Sequence, residues 1–280
     1  MPTNFECKNP ATIAETLSES VCVKKTNGDP LNIFILAIFA GVYIAFGAEL
    51  MTVTVQGIGA SMGFGMAKLL GGAVFSVGLM LVVIAGAELF TGNNLMVLSA
   101  LDGRVGFGKV LGKWGLVYLG NFIGSLLLVA IMYGSGLWKM NNMGVGVTAL
   151  KIATAKVNLP FWEAFFRGVG CNWLVCLAVW MSLASRNIVG KIFAIFFPIM
   201  AFVASGFEHS IANMYFIPMG IFLKGNSAIA NASSLGAKLN TLNWGSFIVN
   251  NEIPVTLGNI VGGAFFVGTL YWFVFLRKKS

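Results

Sequence analysis

One histidine and two glutamates stand at interruptions of long apolar stretches, where an ionisable group is costly and usually functional. His209 is the only histidine in the chain, and it directly follows Glu208; Glu88 stands in a similar setting earlier in the sequence. An imidazole titrates near neutral pH and can share a proton, and the hydroxyl of Thr91 can both donate and accept a hydrogen bond. We interpret His209 as functional, although a neutral imidazole that fills the core is the alternative.

Each glutamate closes a short glycine-containing interruption of an apolar run. The two interruptions read Ala85-Gly86-Ala87-Glu88 and Ser205-Gly206-Phe207-Glu208. A carboxylate at such a place can accept hydrogen bonds from the backbone N–H groups that a broken helix leaves free. We therefore predict that Glu88 and Glu208 clamp broken helices along the substrate pathway, and we favour this structural role over a catalytic one.

The two halves of the chain resemble each other. After each interruption comes a Leu-Gly-Asn-x-x-Gly segment, at 119–124 and at 257–262. Interrupted segments at matching positions in two halves indicate a transport site, because irregular backbone at membrane depth must be buried or line a cavity. With three spans in each half, the copies must run in opposite directions. The sequence thus predicts an inverted 3+3 repeat; chance similarity among glycine-rich helices is the alternative.

The composition requires lipid as the solvent for most of the chain. Hydrophobic residues make up 57% of the 280 residues and charged residues only 10%, against roughly 25% charged residues in soluble domains. A spanning helix needs about 20 apolar residues. We predict an all-α integral membrane protein with broken spans two and five, whose six apolar runs are Ile33–Val55, Leu69–Ala87, Val110–Leu137, Phe161–Ser185, Ile192–Ala204 and Pro254–Leu276.

Charge and polarity divide the chain into three parts. Residues 1–29 form a polar segment with a weak helix starting at Asn9 and Pro10, residues 30–276 one six-helix domain, and residues 277–280 a basic tail. Lysines and arginines are more frequent on one side of the predicted spans, and the positive-inside rule then places both termini in the cytoplasm. The formal charge of +8 is explained by this orientation signal, and no nucleic-acid partner is expected.

The sequence lacks the motifs of the common enzyme classes. It contains no HExxH, GxSxG or Walker motif, and its four cysteines form no CxxC pair. One histidine cannot make a typical zinc site. We therefore predict a protein that is not an enzyme and that needs no metal or cofactor.

Three long motifs resemble those of the formate/nitrite transporter family. They are 84–92, 168–178 and 204–214, and the third is similar to the segment found in the formate channels of that family. The resemblance covers essentially the whole chain. It implies an aquaporin-like six-helix protomer in the bacterial cytoplasmic (inner) membrane, with five protomers in a ring and a pore in each.

The resemblance also implies which residues form the pore. His209 and Thr91 lie at its centre, and Asn172 of span four and Lys156 of the preceding outer loop belong to it. Apolar constrictions above and below the centre are implied at four positions, for which ordinary core packing is the alternative: Phe75, Leu79, Phe90 and Phe202.

We expect pH-dependent passage of formate, with His209 supplying or sharing a proton so that the neutral acid crosses the apolar rings. Passage of the ionised anion, with a charged His209 only lowering the barrier, is the alternative mechanism. Nitrite, hydrosulfide, lactate or acetate are alternative substrates within the family. A membrane-embedded enzyme and a passive water or glycerol pore are alternatives from other classes.

Overall fold

Residues 7–277 are described by the structure, a computed structural model, and they form α-helices joined by short turns. Six helices are long and apolar enough to cross a membrane, which confirms a multi-pass membrane protein. We name them spans 1 to 6: Pro30–Val55, Phe64–Gly86, Phe107–Ser135, Phe161–Ala184, Ile188–Ser205 and Trp244–Phe275. The predicted tail at 277–280 lies outside the described residues except for Arg277.

Shorter helices fill the intervals between the spans. The N-terminal helix runs through three consecutive segments, Pro10–Thr16, Leu17–Val21 and Cys22–Asn27. Three others contain or directly follow candidate site residues, and we name them the Thr91 helix (Phe90–Asn93), the Lys156 helix (Gly144–Val157) and the Ser210 helix (Ser210–Lys224). The remaining ones are Ile58–Met62, Met96–Leu101, Leu137–Lys139, Ser227–Ser233 and Gly236–Thr241.

The N-terminal helix begins where the sequence predicts. Asn9 caps it, because its Oδ1 accepts a hydrogen bond of 2.9 Å from the backbone N–H of Thr12. Further along, Ser18 donates to Asp102 at 2.7 Å and Arg104 pairs with Glu19 at 2.6 Å. These contacts fasten the helix to the turn that precedes span 3.

Three sequence-based boundaries were wrong. Span 2 starts at Phe64, so Lys68 lies inside a helix, where its apolar stem can pack while the ammonium group reaches a polar cavity. Lys156 lies in the last turn of the Lys156 helix instead of a loop, because that helix is too short to register as a 20-residue run. Span 6 starts at Trp244, ahead of Pro254, and a π-helical turn at Phe247–Glu252 directly precedes the proline inside the continuous helix.

Paired glycines bring the spans into backbone contact within one protomer. A Cβ on Gly124 would collide with the carbonyl oxygen of Ile38 in span 1. In the other half, a Cβ on Gly258 or Gly262 would collide with backbone carbonyl oxygens of span 4, those of Phe165 and Val169. The two glycine pairs noted in the sequence therefore seat span 3 on span 1 and span 6 on span 4, as small residues do in membrane helix pairs.

We expect Gly124→Ala to lower the thermal stability of the purified protein in detergent. The added methyl group forces spans 1 and 3 apart, and overpacking of this kind costs about 1 to 3 kcal/mol. Gly115→Ala is the matched control on the same helix, because a Cβ on Gly115 would have no atom within 4 Å. Melting curves from circular dichroism would compare the two variants, and equal stability would contradict this packing role.

Candidate functional site

A cavity of about 230 Å³ lies between spans 2, 4 and 5 and the Lys156 and Ser210 helices. We name it the distal cavity, because it is remote from the N-terminal helix. Phe75 and Phe202 form part of its apolar wall, with their rings in edge-to-face contact at 5.8 Å between centroids. Its polar lining groups belong to Lys68, Lys156, Arg167, Glu208, His209 and Asn213. An apolar chamber with a few converging polar groups is typical of a small-molecule site.

A second cavity of about 510 Å³, the proximal cavity, lies beside the N-terminal helix. Leu17 and Lys25 of that helix line it together with Leu79, Glu88 and Asn93. Leu79 stands one helical turn after Phe75, which lines the distal cavity. The two cavities therefore follow one another along span 2.

The side chains of Thr91 and His209 meet between the two cavities. Thr91 Oγ1 lies 3.0 Å from His209 Nε2, and both residues are buried. His209 lines the distal cavity, while Gly92, the neighbour of Thr91, lines the proximal one. The structure thus brings together the two residues that the sequence predicts at the centre.

Backbone geometry fixes the tautomer of His209. This residue caps the Ser210 helix, and its Nδ1 accepts a hydrogen bond of 3.1 Å from the backbone N–H of Ala212. Nδ1 therefore carries no proton, and in the neutral ring the proton is on Nε2. Nε2–H then donates to Thr91 Oγ1, which leaves the hydroxyl proton of Thr91 free for another acceptor.

Glu208 is held by a cation and two amides. Its two carboxylate oxygens accept hydrogen bonds from Lys156 Nζ at 2.9 and 3.0 Å. Asn213 Nδ2 donates to Oε2 at 2.7 Å, and Asn251 Nδ2 approaches the same oxygen at 3.4 Å. A buried carboxylate needs such partners, so Lys156 is fixed at the wall of the distal cavity.

Glu88 has an equivalent set of partners on the proximal side. Lys25 Nζ donates to Glu88 Oε2 at 2.9 Å and to Asn93 Oδ1 at 2.9 Å. Asn93 Nδ2 donates to the same glutamate oxygen at 2.8 Å. Lys25 of the N-terminal helix therefore occupies the place that Lys156 has beside Glu208.

The clamp role predicted for the two glutamates was wrong. Within residues 7–277 their carboxylates bond to side chains, and two asparagines hold the nearby backbone instead. Asn121 Nδ2 donates to Glu88 O at 2.9 Å and to Ala37 O at 2.7 Å, while its Oδ1 accepts from Phe90 N at 2.9 Å. An amide is suited to this task because it offers both donors and an acceptor.

Asn259 repeats this arrangement in the second half. Its Nδ2 donates to Glu208 O at 3.0 Å and to Gly168 O at 2.8 Å, and its Oδ1 accepts from Ser210 N at 2.9 Å. Both asparagines belong to the Leu-Gly-Asn-x-x-Gly segments. The sequence predicts a repeat from these segments, whereas the task of the amide becomes visible only in the structure.

Asn172 lines neither the distal nor the proximal cavity. Its Nδ2 donates to Asn94 Oδ1 at 2.9 Å and to Asn259 O at 2.7 Å, and lies 3.2 Å from Thr91 O. Asn172 thus positions the backbone behind Thr91. Direct contact between Asn172 and a substrate stays a prediction.

Three of the four predicted constriction residues line the distal or the proximal cavity, and the fourth lines neither. Phe75 and Phe202 line the distal cavity, and Leu79 lines the proximal one. Phe90 points away from both, because it precedes Thr91 on a helix where successive residues differ by about 100° in direction. Its ring lies 5.0 Å from Tyr118 and 6.0 Å from Trp114 in an apolar groove beside span 3.

Comparison with known proteins places the chain in a family. The sequence pattern of the family described as "Formate/nitrite transporter" matches residues 11–273. The formate channel FocA of Escherichia coli (strain K12) is 42% identical over 282 residues, which cover 99% of this chain and 97% of that protein. A probable formate transporter of Methanothermobacter thermautotrophicus is 44% identical over 97% of this chain and 98% of its own length.

The fold is shared with a solved channel structure. A pentameric formate channel with formate bound superposes with a TM-score of 0.79 at 41% identity, covering 89% of this chain and 98% of that one. These relatives are channels and transporters, so the chain is a transport protein and not an enzyme. It belongs to the formate/nitrite transporter family.

Proposed function

We propose that this protein conducts formate across the membrane through a pore within each protomer. The observation that carries the proposal is the Thr91–His209 pair between two cavities, each of which contains a lysine bound to a glutamate. The names of its relatives, formate channels and a formate transporter, support the same substrate. By analogy with the similar pentameric channel, we propose a homopentamer in the bacterial cytoplasmic membrane.

Two aspects of the fold belong to this proposal. Spans 2 and 5 act as broken spans, in which the helix ends at Gly86 or Ser205 and resumes as the Thr91 or Ser210 helix. The halves form an inverted repeat. In support, three kinds of hydrogen bond recur in both halves: lysine to glutamate, one asparagine to the same carboxylate, and a second asparagine to the glutamate's backbone carbonyl. The residues are Lys25, Glu88, Asn93 and Asn121 in one half, and Lys156, Glu208, Asn213 and Asn259 in the other.

The mechanism must overcome the cost of removing a small anion from water. A bare anion in a low-dielectric interior costs tens of kcal/mol by idealised solvation estimates. A carboxylic acid with a pKa of about 4 is roughly three pH units from its protonated form at pH 7, which costs about 4 kcal/mol. Protonation is therefore the cheaper way across the apolar constrictions.

The two lysines attract the anion, and the Thr91–His209 pair orients it and shares a proton with it. Lys156 attracts the anion into the distal cavity, and Lys25 does the same on the proximal side, since the ordered ammonium groups provide local positive charge. The N-terminal end of the Ser210 helix adds its dipole at His209. The free hydroxyl proton of Thr91 orients the carboxylate, and His209 shares a proton with it.

Protonation of His209 is linked to local movement in this scheme. An imidazolium carries protons on both nitrogens, so its Nδ1–H would face the N–H of Ala212, and the 3.1 Å hydrogen bond would be lost. The charged state therefore requires the ring to turn away from the helix that it caps. Transfer of the proton to formate restores the cap.

We propose that the N-terminus is cytoplasmic, and a single exposed cysteine offers the test. Cys7 is exposed, whereas Cys22, Cys171 and Cys176 are buried. Burial also raises the pKa of the Cys22 thiol to about 12, so its reactive thiolate is scarce at neutral pH. A membrane-impermeant maleimide is expected to label inverted vesicles and to spare right-side-out ones, with Cys7→Ser as the control. The opposite pattern would reverse the topology.

The direct test of the function is formate uptake into liposomes that contain the purified protein. Uptake above that of empty liposomes, accompanied by an internal acidification that a pH-sensitive dye reports, would support the proposal. Transport of nitrite or hydrosulfide without formate would keep the fold and change the substrate.

A further inference from the structure

Three cationic side chains line the distal cavity, and they differ in whether they have a carboxylate partner. Lys156 forms its bidentate contact with Glu208, and its ammonium group also lies 5.2 Å from the centre of the Phe216 ring. Arg167 pairs with Glu163 at 2.8 Å on the same helix. Each of these two cations therefore has a carboxylate partner.

Lys68 has no carboxylate partner among residues 7–277, although it lines the same cavity. Its Nζ lies 5.5 Å from the centre of the Phe64 ring. The same atom lies 3.7 Å from the point where a Cβ on Gly206 would stand. The ammonium group is thus held beside the chain interruption from which Glu208 and His209 extend.

Among the described residues, the proximal cavity has no comparable cation. Lys25 is paired with Glu88, and these are the charged residues that line it in the described part of the chain. One uncompensated positive charge therefore lies on the distal side of the Thr91–His209 pair. Cavities with one sign of charge and low-dielectric walls concentrate small ions of the opposite sign.

We propose that Lys68 is an anion-binding residue of the distal cavity, which holds a small carboxylate before it reaches His209. This inference rests on the proposed formate transport and adds a capture step to it. A paired lysine such as Lys156 must share its charge with Glu208, whereas the ammonium group of Lys68 is free to bind the substrate.

A purely structural role for Lys68 is the competing explanation. Span 5 ends at Ser205, close to the ammonium group, and a cation near a helix C-terminus stabilises the helix dipole. The two roles predict different results. A structural role changes thermal stability, whereas an anion-binding role changes how formate flux depends on concentration and on ionic strength.

The experiment compares Lys68→Gln, Lys68→Arg and Lys151→Gln in vesicles whose distal side faces the medium, as established by Cys7 labelling. Lys151 is an exposed lysine of the Lys156 helix that does not line the cavity, so its variant is the matched control. Formate uptake is measured at ionic strengths of about 10 mM and 1 M, where the screening length is about 30 Å and about 3 Å.

For Lys68→Gln we expect the flux at low formate to fall about three- to tenfold at low ionic strength. The half-saturating formate concentration on the distal side should rise, and the salt dependence of the wild type should flatten. Lys68→Arg should keep the wild-type behaviour because it keeps the charge. A passive pore cannot favour one direction of transport in the absence of a gradient. At low formate concentration, Lys68→Gln must therefore reduce uptake and efflux by the same factor.

The outcomes separate the two proposals. Wild-type transport of formate combined with identical behaviour of Lys68→Gln and Lys151→Gln would overturn the role of Lys68 alone. A wild-type protein that moves no formate would overturn the proposed function itself. A Lys68→Gln variant that loses thermal stability yet keeps the wild-type salt dependence would assign Lys68 to the structural role.

Discussion

His209→Asn is expected to reduce proton-coupled formate uptake about 100-fold or more, a typical loss when a proton-transfer group is removed. Asparagine is a favourable helix cap, so its side-chain oxygen can still accept from the N–H of Ala212. The Ser210 helix should therefore stay in place. What the variant loses is the imidazole at the centre, which can change its protonation state near neutral pH.

The measurement is formate-driven acidification of a dye inside liposomes, between about pH 5 and pH 8. Wild-type uptake should increase as the pH falls, because the protonated forms of both formate and imidazole become more abundant. The variant should lose both its rate and this pH dependence. Asn226→Ala is a suitable control, since it removes a helix cap remote from the cavities.

Two results would contradict proton sharing by His209. Full and electrically silent uptake by His209→Asn would mean that formate obtains its proton elsewhere. A formate current without proton movement in the wild type would mean that the ionised anion passes, with His209 only lowering the barrier.

Much of the fold could be predicted because membrane solvation leaves few choices. A long apolar run must be a helix when lipid surrounds it, and six such runs were visible in the sequence. His209 could be identified because an ionisable side chain is rare within apolar membrane-spanning sequence. The family resemblance implied that Thr91 lies with His209 at the centre of the pore, and the structure places Thr91 Oγ1 3.0 Å from His209 Nε2.

Contacts between distant segments could not be predicted in this way. Lys25 reaches Glu88 from a polar segment that the sequence could equally have assigned to a frayed tail. The direction of Phe90 depends on where the Thr91 helix begins, and a shift of one residue turns a side chain by about 100°. Lys156 was taken for a loop residue, because a short buried helix has too few apolar residues to resemble a span.

The asparagines show why a motif and its task are separate questions. The repeated Leu-Gly-Asn-x-x-Gly segments indicated a duplicated structure, but not what their asparagines do. Asn121 and Asn259 have partners on two other chain segments each, so their role depends on how those segments meet. An amide inside an apolar run is nonetheless a signal in itself, since it needs buried partners for both donor and acceptor groups.

Asn259→Leu is expected to destabilise the protein by about 5 kcal/mol. Leucine has a similar shape but leaves Ser210 N–H, Gly168 O and Glu208 O without the partners that Asn259 gives them. Each buried polar group that loses its hydrogen bond costs about 1 to 3 kcal/mol. The start of the Ser210 helix would lose its anchor, so His209 would no longer be held opposite Thr91 and formate flux should fall as well.

The same asparagine-to-leucine change at Asn121 tests whether the two halves of the repeat contribute similarly to stability. Asn121→Leu removes the equivalent three hydrogen bonds at the Thr91 helix, so thermal unfolding in detergent should show a loss of similar size. Asn240→Leu provides the same chemical change at an exposed position and should leave stability nearly unchanged. A large loss at one asparagine with none at the other would mean that the halves share a sequence pattern without sharing its structural task. Comparable losses, with formate flux reduced in both variants, would mean that one asparagine in each half holds the backbone that positions Thr91 or His209.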